Sequence, residues 1–195
     1  RMSKTAKEIM AISPLMPVMV INNADNAVPL AKALVAGGLK VLEITLRTDA
    51  ALESIRRIVA EVPEATVGAG TIINEETLNA AIDAGAEFII SPGTTSSLAD
   101  AALKTGVPFI PGVASPGEAL ALFEKGITEM KFFPAEAAGG IPMLKSIGAP
   151  IPQITFCPTG GVNQKNVADY YKQPNVGVVG GSWMCPADLV KAKDW

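Results

Sequence analysis

The sequence predicts an α/β protein built as a closed (β/α)8 barrel with an extra helix at its N-terminus. Two patterns support this. Short apolar, strand-like runs begin at residues 18, 41, 66, 88, 109, 129, 154 and 176, with helix-like stretches between them. The runs are apolar almost throughout rather than alternating, the pattern of parallel strands covered on both faces. Eight such units favour a closed barrel over the alternative, an open doubly wound sheet. No linker or low-complexity segment divides residues 1–195, so one domain is expected.

The strand-like runs are 18–21, 41–46, 66–71, 88–93, 109–113, 129–135, 154–161 and 176–182. The helical stretches are 25–38, 49–61, 74–85, 96–105, 115–126 and 163–172. Several of these start on Asp, Asn or Ser, which cap the orphan N–H groups of a first turn, and three end on Gly38, Gly85 and Gly126. The stretch 139–147 is a weaker helical pattern. Residues 5–12 read as the extra helix, placed to plug the bottom of the barrel.

Composition excludes several function classes. The chain is 49% hydrophobic with a net charge of −3 and no basic tract, which argues against nucleic acid and anionic membranes as partners. Pro, Gly or charge interrupts every apolar run before membrane-spanning length. No signal peptide is visible, and Arg1 ahead of Met2 reads as an added residue. Cys157 and Cys185 have no metal or redox spacing and read as reduced core thiols, which points to the cytoplasm. The absence of histidine removes Ser-His-Asp and Cys-His nucleophiles and histidine-held metals. Acid–base chemistry then falls to Glu, Asp, Lys, Tyr or Cys, and neither metal nor cofactor is expected.

Lys131 stands out against this background. It lies in Met130-Lys131-Phe132-Phe133-Pro134, an apolar run where an ammonium is poorly placed. Desolvation favours the neutral amine, a nucleophile toward carbonyl carbon. The alternative is a lysine whose stem packs while its head reaches water. Strand two supplies a partner: in Val41-Leu42-Glu43-Ile44-Thr45-Leu46-Arg47, a period of two puts Glu43, Thr45 and Arg47 on one face. A plain structural ion pair of Glu43, with a lysine or with an arginine, remains the competing account.

The strand ends are also distinctive. Gly68-Ala69-Gly70-Thr71 resembles half of a dinucleotide fingerprint, but Ile73 stands where the third glycine belongs, so a tight exit presenting Thr71 is the better reading. Ser91-Pro92-Gly93 is another rigid exit. Strands seven and eight end in Thr159-Gly160-Gly161 and Gly180-Gly181-Ser182. Bare backbone there can turn N–H groups toward an anion, at the strand ends where barrel enzymes hold phosphate. Plain tight turns are the alternative.

Together these segments, with Lys131-Phe132-Phe133-Pro134-Ala135-Glu136 and Phe156-Cys157-Pro158-Thr159-Gly160-Gly161, resemble the 2-keto-3-deoxy-6-phosphogluconate (KDPG) and 4-hydroxy-2-oxoglutarate (KHG) aldolase family over nearly the whole chain. The resemblance implies a homotrimer of barrels that cleaves a phosphorylated six-carbon keto acid to pyruvate and glyceraldehyde 3-phosphate. It also implies action on 4-hydroxy-2-oxoglutarate, giving pyruvate and glyoxylate. By resemblance Lys131 forms the Schiff base, Glu43 moves protons, and Arg47 and Thr71 hold the carboxylate. Pro92 and Phe133 shape the pocket, and Gly160, Gly161, Gly181 and Ser182 hold the phosphate. The family continues beyond Pro186-Ala187-Asp188 into a long helix, so with Trp195 last a truncated eighth helix is expected. Thr94 stands where the resemblance calls for an apolar residue, at the pocket mouth. Three readings compete with this one: an aldolase for the C4-epimeric phosphogalactonate substrate, another lysine-imine enzyme such as a dehydratase or decarboxylase, and a non-catalytic sugar-phosphate-binding barrel.

Overall fold

A computed structural model describes residues 3–195; Arg1 and Met2, and with them the reading of Arg1 as an added residue, lie outside the described residues. Nine strand segments carry the fold: β1 (Leu15–Met19), β2 (Val41–Thr45), β3 (Thr66–Gly70), β4 (Phe88–Ile90), β5 (Phe109–Ile110), β6 (Gly112–Val113), β7 (Glu129–Phe132), β8 (Thr155–Pro158) and β9 (Val179–Gly181). All pairings among them are parallel. One sheet runs β5-β4-β3-β2-β1-β9 and a second runs β6-β7-β8.

The fifth predicted strand accounts for the ninth segment. Pro111 interrupts it, because proline has no N–H to give to a ladder. Phe109 and Ile110 pair with β4, whereas Gly112 and Val113 pair with β7, and the Pro111 carbonyl accepts from Lys131 N at 2.8 Å. Near β8 and β9 the sheets meet again through a Phe156–Val176 bridge, with Phe156 N donating to Asn175 O at 2.7 Å.

The observed strands stop earlier than predicted, because turn-forming residues such as Pro92-Gly93 end the ladder. The first is shifted to start at Leu15, and in the last predicted strand, 176–182, only Val179–Gly181 forms a strand.

The helices are α1 (Ala6–Met10), α2 (Ala27–Ala36), α3 (Ala51–Glu61), α4 (Glu75–Asp83), α5 (Ser96–Lys104), α6 (Pro116–Phe123), α7 (Gly140–Gly148), α8 (Val167–Tyr171) and α9 (Ala187–Lys191). Side-chain caps define the starts of α1, α4, α5 and α6. Thr5 and Asn74 close capping boxes, Thr95 rather than Ser96 caps α5, and Ser115 caps α6 with Pro116 in its first turn. The weak pattern at 139–147 is a nine-residue helix, α7, while the predicted helix 163–172 shrinks to the five residues of α8. α9 is equally short. No helix among the described residues is long and apolar enough to cross a membrane.

The strands bury both faces. On β2, Leu42 and Ile44 join the large cluster beneath the helices, with Ile55 and Ile58 of α3. Each such buried Ile contributes roughly 1.5–3 kcal/mol. Val41 points the other way, into a smaller cluster with Met16, Phe88, Ile90, Ile110, Cys157 and Val178. Ile9 and Met10 of α1 complete that cluster, so the N-terminal helix covers the second face of the strands. Above it, toward the strand C-termini, the same face changes from apolar to charged.

Candidate active site

Lys131 sits in the middle of β7 and Glu43 in the middle of β2, on different sheets. Their side chains cross the space between, with Lys131 Nζ 3.6 Å from Glu43 Oε1 and each side chain under 5% exposed (4% and 2%). That separation is an ion-pair distance but beyond hydrogen-bond range, and Glu43 Oε1 is a buried oxygen with no hydrogen-bond partner. Buried carboxylate oxygens are normally satisfied, so an unpartnered one beside an amine is a functional-site signal.

Neighbouring positions make room for the pair. A Cβ at Gly70 would collide with the Glu43 carboxylate, so bare backbone at the end of β3 is what admits that side chain. The Phe133 ring lies 4.7 Å from Lys131 Nζ. Cys157 is the β8 partner of Lys131 in the ladder. Burial above all, and then the charge of Glu43 against the opposing effect of Lys131, push its thiol up to about 12. It stays protonated at neutral pH and does not rival the amine as a nucleophile.

Arg47 follows β2 and is exposed; its Nε donates to Thr71 Oγ1 at 3.2 Å. Its terminal nitrogens have no partner among the described residues, which leaves them for a carboxylate. Thr71 takes a left-handed conformation, φ 59°, immediately after β3, as its exit reading required. Thr45, on the same face, is engaged differently: its hydroxyl donates to Met19 O at 3.0 Å. Pro92 and Phe133 are half-buried after β4 and β7. Thr94, expected at the pocket mouth, is hydrogen-bonded within the protein. Its Oγ1 donates to Gly112 O at 3.0 Å and lies 2.9 Å from Ser91 Oγ, so it anchors β6.

The glycine pairs also lie at strand C-termini. The carbonyls of Thr159 and Gly160 accept from Ala135 N at 2.8 Å and Glu136 N at 3.1 Å. Gly160 and Gly161 have φ of 102° and 75°, open to glycine and strained for other residues. Among the described residues the N–H groups of Gly160, Gly161 and Val162 meet no acceptor. Gly181 ends β9 with Trp183 packed over it, and the adjacent Ser182 is exposed. Ser182 also lines a cleft of about 890 Å³ with Val18, Val20, Asn22, Lys191 and Lys193, which includes neither Lys131 nor Glu43.

Sequence reasoning missed Glu136 and Asn166. Asn166 Nδ2 donates to Glu136 Oε1 at 2.6 Å and to Gly161 O at 3.1 Å, tying the Gly160-Gly161 turn to the segment after β7. Both are ordinary polar residues in loops, so no pattern in the chain marks them.

A buried lysine facing a carboxylate with one oxygen free of hydrogen bonds, inside a set of parallel strands, is an arrangement suited to imine chemistry on a carbonyl compound. A family model described as KDPG and KHG aldolase matches residues 6–195. The 2-dehydro-3-deoxy-phosphogluconate aldolase of Pseudoalteromonas atlantica is 50% identical over 98% of this chain and 89% of its own. The KHG/KDPG aldolase of Escherichia coli is 48% identical over 98% of this chain and 90% of its own. The crystal structure of KDPG aldolase from Legionella pneumophila, with pyruvate captured as a covalent carbinolamine, is similar at a TM-score of 0.96 and 46% identity, covering 98% and 93% of the two chains. The chain belongs to the KDPG and KHG aldolase family.

Proposed function

We propose that this protein is a class I aldolase, cleaving 2-keto-3-deoxy-6-phosphogluconate to pyruvate and glyceraldehyde 3-phosphate and 4-hydroxy-2-oxoglutarate to pyruvate and glyoxylate. The observation that carries the reading is the buried Lys131–Glu43 pair, 3.6 Å apart with one carboxylate oxygen unpartnered. Relatives of the same family bear these activities in their names, and pyruvate forms a covalent carbinolamine in the Legionella enzyme. The relatives named for the phosphogluconate substrate do not favour the epimeric reading.

The chemistry follows from the two side chains. Neutral Lys131 Nζ adds to the C2 ketone, and Glu43 delivers the proton with which the carbinolamine loses water. The protonated imine then draws electrons from the C3–C4 bond. As Glu43 takes the C4 hydroxyl proton, that bond breaks, the aldehyde leaves, and an enamine of pyruvate stays on Lys131. Protonation at C3 and hydrolysis release pyruvate and restore the amine. Covalent catalysis divides one hard cleavage into easier steps. Arg47, with Thr71, grips the keto-acid carboxylate and fixes the ketone against the amine. Pro92 and Phe133 wall the pocket. The N–H groups after β8 and the Gly181-Ser182 end of β9 receive the phosphate, a local dipole nest suited to a protein of net charge −3.

The two sheets close, in this reading, as one domain forming a (β/α)8 barrel. β5 and β6 are a single strand turned at Pro111, and the Phe156–Val176 bridge joins the other seam. A closed interior explains how a β2 carboxylate meets a β7 amine. The assembly is a homotrimer, and the site of action is the cytoplasm, in keeping with two free thiols.

Pyruvate followed by borohydride tests the function. Reduction of the imine is expected to leave one pyruvyl group per chain, as a secondary amine on Lys131, and to inactivate the enzyme. An adduct on another lysine would move the imine off Lys131, and no adduct at all would leave only the non-catalytic binding protein.

A further inference from the structure

Three consecutive peptide planes follow β8, and each is held by its carbonyl. Thr159 O accepts from Ala135 N, Gly160 O from Glu136 N, and Gly161 O from Asn166 Nδ2 at 3.1 Å. In a trans peptide the N–H points opposite to the carbonyl. Fixing the three carbonyls therefore turns the N–H groups of Gly160, Gly161 and Val162 away from the protein partners, and these N–H groups meet no acceptor among the described residues. Two of the three carbonyls are held by backbone. The third is held by a side chain, so it is the one that substitution can release.

Asn166 is itself fully constrained. Its Oδ1 accepts from Asn163 N at 2.8 Å, and its Nδ2 donates both to Gly161 O and to Glu136 Oε1, the latter at 2.6 Å. One amide acceptor and two donors meet one N–H and two oxygens, which fixes the orientation of the amide. Glu136 is fixed in turn. Its aliphatic stem lies where a Cβ on Gly161 would fall, 2.6 Å from Cγ, and its other oxygen lies on the side of the buried Tyr170 hydroxyl. Burial, then the charge of Glu136, push that tyrosine up to about 12, so the hydroxyl, which has no hydrogen-bond partner among the described residues, stays protonated.

We infer that Asn166, oriented by Glu136, is a positioning residue for the phosphate end of the site. It holds the Gly161–Val162 peptide with its N–H presented to the substrate phosphate. This rests on the assignment of the Gly160-Gly161 turn as the phosphate nest. A phosphate oxygen is a charged acceptor, so loss of one well-placed donor is expected to weaken phosphate binding about tenfold.

The test is an Asn166→Ala enzyme assayed on both substrates, with inorganic phosphate as competitor. KM for the phosphorylated keto acid and Ki for phosphate are expected to rise about tenfold, while KM for 4-hydroxy-2-oxoglutarate moves by less than about threefold. Glu136→Ala removes the acceptor that orients the Asn166 amide and is expected to raise the same KM and Ki severalfold, and Glu136→Gln, which keeps an oxygen for that amide, is expected to recover most of that loss. Equal losses on both substrates would mark Asn166 as a general structural residue and overturn the inference. If phosphate competes in the unaltered enzyme and its Ki is unchanged in Asn166→Ala, the clamp fails and the nest stands. If phosphate does not compete even in the unaltered enzyme, the nest fails and the clamp with it.

Discussion

At the Lys131 end of the site, two buried side chains from different sheets face each other across 3.6 Å, and burial of both heads holds them there. At the Gly160 end, the groups proposed to receive the phosphate are backbone N–H groups on a half-exposed turn, and what holds them is a set of hydrogen bonds to the carbonyls of the same peptides. The first region concentrates its function in two replaceable side chains. The second spreads it over several peptide groups that substitution reaches only indirectly. Chemistry at one end should therefore fail outright on a single change, and binding at the other should fail by degrees.

The largest expected effect is at Lys131. Lys131→Ala removes the nucleophile, and both imine trapping and cleavage of either substrate are expected to disappear, as read by mass spectrometry of the borohydride-treated protein and by pyruvate release. Retained trapping would move the covalent centre elsewhere. Glu43→Gln keeps the amine but removes the proton carrier, so kcat should fall on the order of a hundredfold or more on both substrates. A loss confined to one substrate would contradict a shared proton carrier.

Gly70→Ala sharpens the same side of the comparison without touching either group. The new Cβ collides with the Glu43 carboxylate and must displace it. We expect kcat to drop about tenfold or more with Ki for phosphate unchanged, since a small misplacement of a catalytic group is costly. Unchanged kcat, with circular dichroism confirming the fold, would show that Glu43 needs no such exact seat.

Both Lys131 and Glu43 were legible as candidates because each breaks a rule: a charge in a continuous apolar run needs an explanation. The glycine pairs were legible because they recur at the ends of two strands. Asn166 and Glu136 break no rule, being polar residues in a loop, and only their meeting across the chain gives them a role. Thr94 shows the converse, since a residue that looked misplaced is bonded to Gly112 and Ser91.

Ser182→Asp probes the graded end. A carboxylate set against the substrate phosphate should raise KM for the phosphorylated keto acid about tenfold by like-charge repulsion, and alter 4-hydroxy-2-oxoglutarate cleavage far less. Parallel losses would remove Ser182 from the phosphate site.

The smallest effect concerns pH. Cys157 ionises near pH 9.0 when exposed but only at about 12 in the fold, chiefly through burial. Between those values the unfolded chain has lost a proton that the folded chain keeps, so stability falls as pH rises through this window. Replacing Cys157 by Ala should flatten that fall in denaturant midpoints measured from pH 9 upward. An unchanged slope would mean that the thiol ionises normally in the fold.

Periodicity and composition alone determined the alternating α/β plan, the burial of both strand faces, the absence of histidine chemistry and the candidacy of Lys131 and Glu43, whose meeting at 3.6 Å the fold supplied. These are local or one-dimensional properties: which residues are apolar, how they repeat, and which charges interrupt them. Tertiary structure alone decided that Pro111 divides one strand between two sheets, that Gly70 clears the space for Glu43, and that the Gly161 carbonyl is held by Asn166 under the direction of Glu136. Each of these depends on contacts made only when the chain folds, most of them between distant segments, and such hydrogen-bond partners and steric clearances are set by packing, which no local pattern encodes.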